Sequence, residues 1–202
     1  MNKEQIKYLE DAGIYKRWHD KKLDDFTKNE EVLRTIKKYL KNSKDAYEDG
    51  IGFYLHGPNG VGKTHILMTS FKELIDKRFT VRVISLTTLI GLFTGSFYNE
   101  EKQEQLMTVM KRVNFLGIEE IGKQINSEKS KDMVTHILET VIRYRVQCKK
   151  PTWFTSNMKP SAMAEIYNED IASMLRECSV HLLVDGEDER RTILQKNKKK
   201  YL

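Results

Sequence analysis

The stretch Gly57-Pro58-Asn59-Gly60-Val61-Gly62-Lys63-Thr64 constrains this chain more than any other. Its spacing, G-x-x-x-x-G-K-T, is that of a phosphate-binding loop, and its flanks fit that reading. An apolar run at 51–55 reads as a strand, and 64–74 has helical periodicity. Glycines let successive backbone N–H groups curl round phosphate oxygens where a Cβ would block the approach. The helix that follows adds the partial positive charge of its N-terminus. Lys63 is placed to reach the β- and γ-phosphates, and the Thr64 hydroxyl to ligate Mg²⁺. Gly57, Asn59, Gly60, Val61, Gly62, Lys63, Thr64 and His65 are therefore the candidate ATP-binding residues. A chance glycine-rich turn ahead of a lysine would not need the strand and helix around it.

At 202 residues the chain supports one domain with a substantial core. Its 39% hydrophobic and 32% charged content is not that of a disordered polymer. The net charge of +6 is partly concentrated in Lys196, Lys198, Lys199 and Lys200, which leaves the rest closer to neutral. Cys148 and Cys178 lack metal-ligand spacing, and no apolar stretch approaches the ~20 residues of a membrane span. The N-terminus does not read as a signal peptide, so a cytoplasmic location is expected.

Apolar strands are expected at 51–55, 81–86, 113–118, 152–156 and 180–184. Helices are expected at 2–11, 29–41, 64–78, 89–93, 99–112, 132–146, 160–167 and 170–177, with polar loops at 42–50 and 121–131. The helix at 132–146 should present Met133, Val134, Ile137, Leu138, Val141 and Ile142 to the core. Strands alternating with helices imply an α/β fold, a parallel five-stranded sheet flanked by helices on both faces. The expected layout is an N-terminal extension over 1–28, a domain over 29–191 and a basic tail over 192–202. The aromatic and basic segment around Tyr15, Arg17 and Trp18, with Phe26 beyond it, reads as a strap pinned across the core. The alternative is a docking surface for a nucleotide base or a partner.

Ligands of open parallel sheets bind beyond the carboxyl ends of the strands, so polar residues just after a strand carry weight. Phe115-Leu116-Gly117-Ile118 ends in Glu119-Glu120, with Glu119 the candidate for the Mg²⁺ shell and Glu120 for orienting the attacking water. The strand at 152–156 ends at Asn157, a candidate to hydrogen-bond that water near the γ-phosphate. After the last strand come Asp185 to Arg191, where an arginine can fold back over the phosphates or simply complete a solvated turn.

With these segments in hand, the sequence resembles the AAA+ ATPase module of bacterial replicative helicase loaders of the DnaC and DnaI type and their phage-encoded relatives, and also the IstB-like ATPases. Gly13-Ile14-Tyr15-Lys16-Arg17, Leu23-Asp24-Asp25-Phe26, the phosphate loop, Glu119-Glu120-Ile121-Gly122-Lys123, Thr155-Ser156-Asn157 and Gly186-Glu187-Asp188-Glu189-Arg190 carry the likeness. It implies a P-loop NTPase of the AAA+ (ASCE) type with a reduced or absent lid domain. Carried over, Glu119 and Glu120 match the Walker B pair, Asn157 matches sensor 1 and Arg190 matches sensor 2. Three departures stand out. Glu119 replaces the usual Asp; Met174 stands where the family has an arginine finger; and only about fifty residues precede the phosphate loop, short for a helicase-binding domain.

The resemblance implies an ATP-binding protein of DNA replication that assembles under ATP control and delivers a replicative helicase to single-stranded DNA. Hydrolysis is expected to be slow. Arg143, Arg145, Lys149 and Lys150 are candidates to line a DNA path. Two alternatives remain open. One is a phage-encoded mimic that binds the host helicase loader and blocks its assembly, inhibiting replication. The other is an IstB-like transposition helper ATPase.

Overall fold

The computed structural model describes residues 2–27, 29–122 and 128–188. Its centre is a five-stranded sheet, β1 (Gly52–His56), β2 (Val81–Ser85), β3 (Phe115–Ile121), β4 (Thr152–Ser156) and β5 (Ser179–Leu183), in the order β2-β3-β4-β1-β5. Every pairing is parallel, as the strand–helix alternation requires. The strands are apolar at successive positions because both faces are covered. Phe53, Leu55, Phe115 and Trp153 enter one core; Tyr54, Leu116, Ile118 and Phe154 enter the other.

The first core lies under α1 (Lys3–Asp11), α2 (Glu30–Lys41), α3 (Ser43–Asp49) and α4 (Lys63–Asp76). The second lies under α5 (Leu86–Gly95), α6 (Glu100–Met107), α7 (Glu128–Gln147), α8 (Met163–Ile166) and α9 (Glu169–Cys178). Side chains of Asn2, Asn29, Ser85, Asn99 and Asn168 cap the helices that follow them, each accepting a backbone N–H of the first turn.

Several expectations need correction. Residues 42–50 are not a loop but α3, which packs Tyr47 against Phe79 and Phe115 and ends at Gly50 in the left-handed region. A Cβ on Gly50 would lie 2.7 Å from the Lys149 Cα, so the close approach as well as the φ of 76° calls for glycine. Ala46 and Tyr47 are the only apolar residues of 42–50, too few to show a period. Ser85 caps α5, which runs three residues earlier and two later than expected (86–95 against 89–93). The amphipathic 99–112 segment is α6 followed by a π-helical turn, Thr108–Arg112. β3 continues to Ile121, and α7 begins at Glu128 inside the expected loop. Met133 is 43% exposed, outside the face formed by Val134, Ile137, Leu138, Val141 and Ile142.

The N-terminal segment is part of the fold. Val83 of edge strand β2 donates its N–H to the Ala12 carbonyl at 2.7 Å, which covers an otherwise open edge. Gly13, at φ 84°, lies so close that a Cβ would sit 2.0 Å from the Val83 carbonyl oxygen. From there the chain crosses α4 in two short 3₁₀ turns, Lys16–Trp18 and Leu23–Asp25, and buries Ile14, Leu23 and Phe26. Among the described residues no helix is long and apolar enough to cross a membrane.

Candidate functional site

The strand order separates β1 from β3 by one strand, β4. The carboxyl ends of these three strands therefore converge, and a cavity of about 370 Å³ opens there. Asn59, Gly60, Gly62, Lys63, Thr64 and His65 line one side, with Glu120, Thr155, Ser156 and Asn157 beyond them. Arg17, Trp18, Lys21 and Asp25, from the N-terminal strap, complete the lining.

Tight approaches shape the loop. Gly57, at φ 148°, abuts the end of β5, where a Cβ would sit 1.9 Å from the Val184 carbonyl oxygen. Gly62, at φ 106°, leaves room for the Phe26 ring, 2.8 Å from where a Cβ would be. The Val61 side chain is fully buried in the core beneath the loop and, like Gly57, does not line the cavity. Lys63, the first residue of α4, is 9% exposed, and its ammonium donates to the carbonyls of Gly57 and Pro58 at 2.6 Å each. It also donates to Asn157 Oδ1 at 2.9 Å. The lysine of the loop and the asparagine at the end of β4, 94 positions apart, are thus in direct contact.

The end of β3 is irregular. Ile118 pairs with Phe154 and Ile121 with Ser156, so β3 carries one extra residue there. Glu120 takes up that residue at φ 64°, and its N–H donates to Thr155 Oγ1 at 3.1 Å. The bulge returns Ile121 to the core, where Ser156 Oγ donates to its carbonyl at 2.7 Å. It also sends the exposed Glu120 to the cavity wall, while Glu119 is half-buried and not a lining residue. Nothing in a string of residues signals a bulge, so the separation of two adjacent carboxylates was not visible beforehand.

His65 has one ring nitrogen, Nε2, 2.8 Å from the Lys22 carbonyl. A carbonyl only accepts, so that nitrogen carries the proton. The ring sits edge-on to Trp18 at 5.8 Å and tilted to Phe26 at 6.3 Å. The strap is therefore both pinned and functional in position: it packs on the core through Ile14, Leu23 and Phe26 and also walls the cavity. The sequence sets these as alternatives for the segment holding Arg17 and Trp18, but it does not single out the lining residues Lys21 and Asp25. Their only signal was the charge interleaved with the aromatics.

Other candidates fall elsewhere. Arg190 and the 192–202 tail lie outside the described residues, as does Lys123. Arg145 is not on a surface path. It is 0% exposed, and its guanidinium donates to Thr152 Oγ1 and to the carbonyls of Val109, Met110, Val113, Asn114 and Pro151. Burial pulls its pKa down to about 9, which still leaves the charge in place at neutrality. Arg143 is exposed but bonded to Glu139 at 2.5 Å. Met174 is buried in the core at 7% exposure, and Arg176, two positions on, pairs with Glu169 at 2.6 Å.

The sequence matches the bacterial DnaA ATPase domain over residues 26–178. The chain belongs to that family. It is also homologous to replicative helicase loaders: 25% identical over 132 residues to the loader DnaI of Bacillus subtilis (strain 168), covering 65% of this chain and 41% of the relative. To the loader DnaC of Escherichia coli (strain K12) it is 26% identical over 125 residues, covering 61% of this chain and 49% of the relative. The chain thus spans less than half the length of these relatives. Among solved structures, that of the DnaC helicase loader superposes with a TM-score of 0.72 at 23% identity, over 84% of this chain and 99% of the other. The AMPPCP-bound DnaA of Aquifex aeolicus gives 0.65 at 15% identity, over 94% and 56%. The fold is that of these AAA+ domains, a parallel five-stranded sheet flanked by helices. Membership of an ATPase-domain family implies a nucleotide-binding site.

Proposed function

We propose that the chain is an ATP-binding module of the helicase-loader type, which binds Mg²⁺·ATP in the cavity beside the phosphate loop and assists a replicative helicase onto single-stranded DNA. The observation that carries this is the convergence of Lys63, Thr64, Glu120 and Asn157 on one cavity at the strand ends, in a chain homologous to DnaC and DnaI.

In this reading Lys63 leaves its own loop carbonyls for the phosphates, while backbone N–H groups of 59–62 cradle them. Asn157, already bonded to Lys63, is placed to orient a water at the γ-phosphate, and Glu120 to accept its proton. Mg²⁺ takes oxygen donors and is commonly held by one or two protein oxygens plus substrate phosphates, a demand that Thr64 would meet on the cavity lining and that Glu119, set back from the lining, matches in kind. Bound there, the ion would neutralise charge on the phosphates. Arg190 remains the proposed late arginine of the site. A buried Met174 offers no cation to a neighbour's nucleotide, which supports slow turnover.

The same observation favours one second reading: a module that accepts ATP yet supplies no finger can join a loader assembly and stop it growing. The test is size-exclusion chromatography of the chain with circular single-stranded DNA and the replicative helicase or the helicase loader of its host, with and without ATP. ATP-dependent co-elution of helicase and DNA supports loading. Capture of the loader but not the helicase supports the second reading. Failure to bind ATP at all by calorimetry removes both.

A further inference from the structure

Lys72 lies eight residues along α4 from Thr64, about 12 Å at the helical rise, and does not line the cavity. Its ammonium nonetheless donates to three carbonyls of the strap, those of Trp18 at 2.9 Å, His19 at 2.5 Å and Lys21 at 2.7 Å. An ammonium has three donors, and all three are directed at one short turn. Trp18 and Lys21 are themselves lining residues of the cavity. Between Ile14 and Leu23 no apolar side chain of the strap is fully buried; Trp18 is half-buried against the core, so packing anchors the two ends more firmly than the middle. The middle is held by polar bonds: the Lys72 set, His65 to the Lys22 carbonyl, and His19 Nε2 to the Ile14 carbonyl at 2.8 Å.

We propose that Lys72 is a positioning residue that latches this turn against α4, so that preference for a nucleoside triphosphate over bare triphosphate depends on a side chain that touches neither. The physical reason is preorganisation. A wall held in place before the ligand arrives does not have to be ordered on binding, and that ordering otherwise subtracts from affinity. The phosphate loop is fixed by the sheet instead, so triphosphate binding should be indifferent to the latch. This inference rests on reading the cavity as a nucleotide site.

The test is calorimetric titration of the full chain and its Lys72→Met and Lys72→Arg variants with Mg²⁺·ATP and, separately, Mg²⁺·tripolyphosphate. Lys72→Met should lose about tenfold in ATP affinity and keep its tripolyphosphate affinity within twofold. Lys72→Arg, which retains donors, should recover most of the loss. Lys72→Gln, polar but shorter, carries the same expectation as Lys72→Met should the latter not fold. Unchanged ATP affinity without the ammonium, or equal weakening of both ligands, overturns the latch. Binding of neither ligand by the wild-type chain instead overturns the nucleotide site, and the latch falls with it.

Discussion

The two ends of the cavity are built by different means. At the phosphate end the loop and Asn157 follow strands β1 and β4, Glu120 sits in the bulge near the end of β3, and their positions are set by the sheet. Gly57, at positive φ, packs there against the Val184 backbone, so a single added carbon collides with something that cannot move, whereas Gly62 meets the Phe26 ring. The strap wall comes from 3₁₀ turns near the N-terminus, held by side-chain donors reaching from α4 to backbone carbonyls. Rigid backbone makes the first end sensitive to shape; the second end is sensitive to the loss of a donor. Phosphates are common to all nucleoside triphosphates, so the sheet end should govern whether a ligand binds and the strap end which one.

The sharpest break in that comparison is Lys63→Ala. Its ammonium already makes three hydrogen bonds across the phosphate end, and a charge-assisted phosphate contact is worth about 3 kcal/mol at most. Affinities for ATP and for tripolyphosphate should therefore fall together, by roughly a hundredfold. A variant that lost ATP alone would mean that Lys63 does not serve the phosphates.

The same division decides what was legible in the sequence. The phosphate end follows from spacing: a loop after an apolar strand, carboxylates after another, an asparagine after a third. Local order is enough, because each group is fixed by the strand that precedes it. The strap end depends on contacts across 43 to 54 positions, His65 to Lys22 and Lys72 to Trp18, and no periodicity encodes them. Helix α3 was hidden for a similar reason, since Tyr47 finds Phe79 and Phe115 only once the sheet exists. Arg145 shows the converse error. A basic residue beside Arg143 and Lys149 looks like surface charge, yet its six acceptors lie where three elements meet.

A smaller effect is expected at Thr155, which sits at the sheet end but acts through a side chain. Its hydroxyl oxygen accepts the N–H of Glu120, a residue held at φ 64°, where a side chain is disfavoured by about 1 to 2 kcal/mol. Thr155→Val keeps the shape and removes the acceptor, so the bulge should relax and move the Glu120 carboxylate. Single-turnover ATP hydrolysis should slow by about tenfold while the ATP dissociation constant holds within twofold. Thr155→Ser should restore the rate. Equal slowing in the serine variant would show that packing, not the hydrogen bond, holds the bulge.

The smallest effect, and the one that best separates the two ends, belongs to Trp18→Ala. The indole is half-buried, stands edge-on to His65 at 5.8 Å and carries the Arg17 guanidinium 5.1 Å above its ring. Removing it takes away wall surface without touching the loop. The loss for ATP should be about 1 kcal/mol, roughly fivefold, with tripolyphosphate unaffected. Because Trp18 and Lys72 act through the same turn, their effects should not add. In a double-mutant cycle, Trp18→Ala with Lys72→Met should weaken ATP little more than Lys72→Met alone, whereas independent sites sum to within about 0.5 kcal/mol. Additivity would mean that the indole contacts the ligand whether or not the latch is closed, and the strap end would then be as rigid as the sheet end.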